Sequence, residues 1–365
     1  MNDAVKALLT RAQREIDAGF LPACQVAIAR RGDLEVFEAF GDASTDTRFA
    51  VFSATKAFVA SVMWILVGEG SVDVDQPVAE YIPEFATNGK DAITIEQVML
   101  HTSGFPSAPL GPPAWWARDT RVEQFSKWRL NWEPGTAYEY HATSAHWVLA
   151  EIIERVTGQD HRDVLEARVT GPIGLRRVLG LALDDQDDIA ELVNVGEPAT
   201  PDELEAVLGV RELPVTEVTP EALLAFNIPQ VRELGVPAAG GVMRAADLAL
   251  FYQALLHDPD GIWEPAVRAD GTGRIRNDLP DRWTGVTAHR TLGLVVAGDD
   301  GRANLRGFGR VGSPRMFGHN GAGGQLAWAD PESGLSFAYV TNGLDQHELR
   351  QARRGVALGS LAAAC

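Results

Sequence analysis

Ser53 and Lys56 stand three residues apart in Ser53-Ala54-Thr55-Lys56, a spacing that puts both side chains on one face of a helix. A serine hydroxyl is a poor nucleophile because its proton must leave as the new bond forms. An amine held one turn away takes or relays that proton if burial and positive potential lower its pKa, and the N-terminus of a buried helix supplies both. The same terminus offers a backbone N–H to a developing oxyanion. The chemistry implied is covalent acyl transfer. The two-residue pattern also arises by chance, and a serine here alone would serve as a helix N-cap, so the pair acquires meaning only from its surroundings.

Other patterns carry less. Gly307-Phe308-Gly309-Arg310-Val311-Gly312 spells a dinucleotide fingerprint, but Pro314 follows and no amphipathic helix opens there, so a loop is expected instead. His141 and His146 lack a carboxylate at metal-ligand spacing, so no metal site is expected. Asp73 and Asp75 read as turn chemistry. No Gly-x-Ser-x-Gly elbow occurs, which argues against an α/β-hydrolase.

The elements that must hold Ser53 and Lys56 are legible. Met1 to Phe20 reads as an amphipathic helix, and Cys24 to Arg30 and Leu34 to Phe40 as a hairpin around Arg31-Gly32-Asp33. From Ser53 to Glu69 the pattern is helical and almost wholly apolar, which predicts a buried, rigid helix ending at Gly70. Thr94 and Gln97 have capping-box spacing, and Thr143 to Thr157 forms a helix stopped by Gly158. Strand character returns at Thr291 to Val296, Gln325 to Ala329 and Leu335 to Thr341, before a last helix from about Gln346 to Ala364. Between Asp184 and Pro237 the chain is acidic and broken by prolines. This stretch reads as a lid or insertion with one short helix near Asp202 to Leu208. Strands at both ends with helices between them predict an α+β fold: an antiparallel sheet flanked by helices (1–60 and 236–365), with a mainly helical region (61–235) inserted.

Composition sets the limits. The 365 residues are 45% hydrophobic, enough for a core without staples. Thirty-two basic against 50 acidic residues give a net charge of −18, which repels phosphate backbones and anionic lipid, so neither nucleic acid nor membrane is an expected partner. The two cysteines form no disulfide framework, and Cys24 is expected in the core. The longest apolar run, Phe58 to Gly68, is too short to span a bilayer. The first 20 residues show no apolar stretch before a small-residue cleavage site, so a cytoplasmic protein is expected.

Phe49 to Ala57, followed by Gly70, Asp73, Asp75, Pro77, Val78, Tyr81 and Pro83 and by Leu100-His101-Thr102-Ser103-Gly104-Phe105-Pro106, resembles the class C β-lactamase-like serine hydrolases. That superfamily includes class C β-lactamases, DD-peptidases, D-aminopeptidases and family VIII carboxylesterases, the last being closest in character. The resemblance continues through Pro134-Gly135-Thr136-Ala137-Tyr138-Glu139-Tyr140, Ala239-Gly240-Gly241-Val242-Met243 and Phe317-Gly318-His319-Asn320-Gly321. It covers most of the chain, in the family's order. It implies a β-lactamase/transpeptidase-like fold with Ser53 as acylated nucleophile, Lys56 as its proton partner and Tyr140 sharing the base role. It also implies an oxyanion hole from the backbone N–H groups of Ser53 and Ala322, a pocket wall at His319, Asn320 and Gly321, and no cofactor. Which of Lys56 and Tyr140 is the base stays open at this point.

The departures from the family pattern bear on substrate. Ala142 stands where the tyrosine motif has asparagine, so a side-chain amide that would hold a substrate amide is missing. His319 and Asn320 replace Lys-Thr, which removes a permanent cation suited to a β-lactam or peptide carboxylate. Both changes favour a small or medium ester. Acyl transfer, D-amino-acid amide hydrolysis and weak β-lactamase activity remain alternatives at the same serine, as does a catalytically silent binding protein. The proline-rich loop Phe105 to Trp116 presents Trp115 and Trp116, which either pack into the helical region or rim the pocket. The oligomeric state is not legible in the sequence.

Overall fold

The computed structural model describes residues 2–214 and 216–365. Ten strands occur among them: β1 (Ala23–Arg30), β2 (Asp33–Gly41), β3 (Phe49–Ala50), β4 (Val193–Val195), β5 (Val242–Met243), β6 (Val295–Val296), β7 (Phe317–Gly318), β8 (Leu326–Asp330), β9 (Leu335–Thr341) and β10 (Gly343–Asp345). Six of them form one antiparallel sheet in the order β2-β1-β9-β8-β7-β6. Strands from the two ends of the chain therefore lie side by side within it, where β1 pairs with β9.

Alternation along β1 explains the layers. Cys24, Val26 and Ile28 point into one core with Leu8, Ala12, Leu358 and Ala362 of the two terminal helices (Asp3–Asp17 and Glu348–Ala363). Ala23, Ala27 and Ala29 point into the other core, which holds the helices Thr55–Gly68 and Ala245–His257. A strand with both faces covered carries mostly apolar or small residues, and the one buried polar side chain of β1, Gln25, is hydrogen-bonded to Ser44 O, Thr47 O and Ala245 N. The terminal helices are also clamped by Arg354. Its Nε donates to Glu15 and its Nη2 to Asp345, each at 2.6 Å, with all three groups buried.

The Thr55–Gly68 helix is buried from Thr55 to Leu66. Phe58 stacks on Phe251 with ring centroids 3.8 Å apart, and the indole N–H of Trp64 donates to the Leu292 carbonyl. The helix begins later than its sequence suggests, because Phe52–Ala54 is a 3₁₀ turn and Ser53 lies in that turn, not in the helix itself. The expected strand at Thr291 to Val296 is reduced to β6. Gly293 adopts a positive φ, and the Thr291 hydroxyl accepts from Leu294 N, so the first half is a turn.

The acidic segment is more ordered than its prolines suggest. β4 pairs parallel with β10, and the helices Pro201–Leu208, Pro220–Leu224 and Pro229–Leu234 each begin on a proline. Proline at the first helical position costs no hydrogen bond and presets φ. Elsewhere the sequence-based boundaries fall within a few residues of those observed. The Thr94–Gln97 capping box forms, and Gly158 closes the Ser144–Thr157 helix in the left-handed conformation.

Candidate active site

Ser53 is held by strain and by a neighbouring strand. Phe52, just before it, has φ +46°, a conformation costly for a side chain with a Cβ. The turn pays for itself in ties: Val51 N donates to Gly241 O (2.9 Å), Thr55 Oγ1 donates to Phe52 O (2.6 Å), and Gly241 N donates to Thr55 Oγ1 (2.8 Å). A Cβ on Gly241 would crowd that same Thr55 hydroxyl, and a Cβ on Gly321 would run into the Val51 carbonyl. Both glycines thus let backbone close in around the serine turn.

Lys56 lies one turn on, fully buried. Its Nζ is 3.3 Å from Ser53 Oγ, and it donates to the carbonyls of Ala142 (2.7 Å) and Ala238 (2.9 Å). Burial pushes its pKa well below the usual lysine value, the positive charge of Arg290 pushes it further, and Glu217 opposes them. A neutral amine has two N–H donors and one lone pair. With both donors committed to carbonyls, the lone pair is left for the Ser53 hydroxyl.

Tyr140 arrives from the loop that the His101–Gly104 motif anchors. Glu139 N donates to His101 O and His141 N to His101 Nδ1. The His141 ring donates from Nδ1 to Glu139 O and accepts at Nε2 from Phe105 N. His141 is thus consumed in fixing the loop and does not line the cleft. The Tyr140 ring sits 4.8 Å from that of His101 and 5.9 Å from that of His319, with Lys56 Nζ 5.0 Å from its centroid. Its hydroxyl is buried without an aligned hydrogen bond. Burial pushes the phenol up to about 12, against Arg290 and the nearby Ser53 hydroxyl, which pull it down.

The third wall is β7, which lies between β8 and the edge strand β6, and the turn beyond it. His319 N donates to Ala327 O and to Tyr252 Oη, while Nδ1 faces the Asn320 carbonyl at 2.9 Å. A carbonyl only accepts, so Nδ1 carries the proton and Nε2, which is buried and unpartnered, presents a lone pair. Burial, Arg290 and Lys56 keep this ring neutral. Among the described residues, neither the Ser53 nor the Ala322 amide donates a hydrogen bond, and both residues line one cleft of about 440 Å³ together with Tyr140, His319, Asn320 and Gly321. Two free N–H groups at one cleft are the elements of an oxyanion hole.

Some expected pocket residues serve differently. Asn320 lines the cleft, but its amide is spent, donating to Gly307 O (2.6 Å) and accepting from Ala327 N (3.0 Å). Ala142 contributes its carbonyl, to Lys56. Trp115 and Trp116 do not line the cleft: the Trp115 indole donates to Leu110 O and packs against the helical core, and Trp116 is exposed. The acidic segment does reach the site, because Val218 lines the cleft and Glu217 accepts from Thr143 Oγ1 at 3.2 Å. No helix among the described residues is long and apolar enough to cross a membrane.

Sequence reading missed Arg290. It is 6% exposed and lines the cleft, with its Cζ 5.1 Å from the Tyr140 ring centroid and 5.6 Å from that of Tyr138. Its Nε donates to Tyr138 Oη at 2.9 Å. No motif marks it, and Tyr138 is 152 residues away in the chain. The ring at position 319 carries no permanent charge, and Arg290 is a cation at the cleft that the motifs did not announce. Arg290 is bridged to Val295, whose partner in β7 is Gly318, the neighbour of His319.

The arrangement agrees with what the chain resembles. It is 30% identical over 325 residues to the esterase/beta-lactamase LipL of Mycobacterium tuberculosis, covering 82% of this chain and 70% of that one. Among solved structures, a penicillin-binding protein homologue from Caulobacter crescentus superposes with a TM-score of 0.80 at 27% identity, covering 100% of this chain and 98% of that one. A family VIII carboxylesterase superposes with a TM-score of 0.79 at 25% identity, with the same coverage. The Beta-lactamase family model matches residues 9–361, and with the serine turn, buried lysine and tyrosine loop in that family's order, the chain belongs to the beta-lactamase family of serine hydrolases.

Proposed function

We propose that the protein is a carboxylesterase acting through an acyl-enzyme on Ser53. The observation that carries this reading is the commitment of both Lys56 N–H donors to the Ala142 and Ala238 carbonyls, with Ser53 Oγ as the third neighbour at 3.3 Å. In the first half-reaction Ser53 Oγ bonds to the ester carbonyl carbon and its proton passes to Lys56 Nζ. The carbonyl oxygen becomes an oxyanion received by the Ser53 and Ala322 amides. The C–O bond to the alcohol then breaks, and the phenol of Tyr140 protonates the departing oxygen, its own proton being restored from Lys56. Water repeats the sequence on the acyl-enzyme and releases the acid.

Position 142 supports an ester over an amide, since it offers no side-chain amide to hold a peptide-like substrate. Val218, Val286 and Leu305 give the cleft apolar walls suited to a short or medium chain. A larger hollow of about 860 Å³ adjoins it, sharing Leu305, Gly307, Asn320 and Gly321. Steady-state hydrolysis of p-nitrophenyl butyrate tests the reading. Ser53→Ala is expected to lower kcat/KM by at least about 10⁴-fold, and full activity in that variant would overturn it.

A further inference from the structure

We propose that Arg290 anchors a carboxylate carried by the substrate, so that the preferred esters bear a negative charge on the part that lies along the Tyr138–Tyr140 wall. This deepens the esterase reading and rests on it.

Arg290 has no acidic partner among the described residues: Nε is used by Tyr138 Oη, Nη1 is buried without a hydrogen bond, and Nη2 donates to nothing in the protein. Among the described residues, neither carboxylate near it forms an ion pair with the guanidinium. Asp281, which lines the same cleft, accepts at Oδ1 from the amides of Trp283 (3.0 Å) and Thr284 (2.8 Å) and from the Thr284 hydroxyl (3.0 Å). Glu217 is held by Thr143. A guanidinium removed from water without a counter-ion is destabilising, yet this one is built in firmly. Its backbone exchanges hydrogen bonds with Asn277 (N to O 2.9 Å, and 3.1 Å in return), whose own side chain donates to Leu100 O, and its Cζ lies 5.1 and 5.6 Å from the centroids of two tyrosine rings. A fixed guanidinium with unpaired donors matches a carboxylate in geometry and charge. Tyr140 is not the missing anion, because burial keeps its phenol protonated at neutral pH. The ligand is left to supply it.

The test compares mono-p-nitrophenyl glutarate with p-nitrophenyl butyrate at neutral pH, in the full chain and in Arg290→Gln and Arg290→Lys. Whatever Arg290 does through Lys56 and Tyr140 slows both esters and cancels in the ratio of their kcat/KM values. The ratio is expected to favour the charged ester in the unmodified protein, to fall by about tenfold or more in Arg290→Gln, chiefly through KM, and to recover in part in Arg290→Lys. A ratio that does not favour the charged ester, or that Arg290→Gln leaves unchanged, overturns the proposal. If neither ester is cleaved, the esterase reading itself falls and thermal stabilisation by glutarate decides on Arg290. Stabilisation by glutarate but not by glutaramide, lost in Arg290→Gln, supports the anchor, and its absence in the unmodified protein overturns it.

Discussion

Lys56 Nζ lies 3.3 Å from Ser53 Oγ, and its two shorter contacts, at 2.7 and 2.9 Å, are to carbonyl oxygens that can only accept. Two fixed acceptors orient the amine, so its third direction is defined by the fold. Burial and Arg290 then favour the unprotonated amine there, while burial favours the protonated phenol of Tyr140. The two groups are thereby pushed towards opposite roles, base and acid.

The pH dependence follows from those directions. Lys56 works unprotonated, so kcat/KM falls as pH drops through its lowered pKa. Tyr140 works protonated, so activity is lost at the alkaline end only on approaching about 12. A neutral ester assayed from about pH 5 to about pH 10, corrected for spontaneous hydrolysis, is expected to show an acid limb and then a plateau. A rate that keeps climbing tenfold per pH unit to the alkaline end would instead identify the Tyr140 phenolate as the base.

Trp115 is a packing residue. Trp115→Ala is expected to lower unfolding free energy by about 2 kcal/mol, less than a fully buried tryptophan because the ring is half-buried. Acyl-chain preference over a series of p-nitrophenyl esters should stay as it is. A changed preference at unchanged stability would return Trp115 to the pocket rim.

Arg354 bridges the ends of the chain, donating to both Glu15 and Asp345. Arg354→Met leaves two buried carboxylates short of a partner and is expected to cost about 3–5 kcal/mol in denaturant unfolding. With the Ser53 turn untouched, kcat/KM should be retained in the folded variant. A shift below about 1 kcal/mol would mean that Arg11 and Arg350, which pair with the same carboxylates, carry the clamp alone.

Much of this was legible in the sequence because local physics decides it. Alternation in β1, the apolar run after Thr55 and the capping residues at Thr94 and Gln97 each fix an element from nearby residues, and the Ser53–Lys56 spacing fixes their shared face. What was not legible depends on distant partners. Arg290 gains its place only when Asn277 and Tyr138 fold against it. Asn320 looks like a pocket donor until Gly307 O and Ala327 N claim its amide, and Trp115 and Trp116 announce rings and prolines but not which way they face. Prolines 201, 220 and 229 read as interruptions, whereas each opens a helix.

The proposed reaction requires an acyl group carried by Ser53. Intact-mass measurement after rapid acid quench of p-nitrophenyl acetate turnover, followed by peptide mapping, tests it. One acetyl group per chain on the Ser53 peptide, absent in Ser53→Ala, is the predicted result. Product release with no adduct, or an equal adduct in Ser53→Ala, would contradict it.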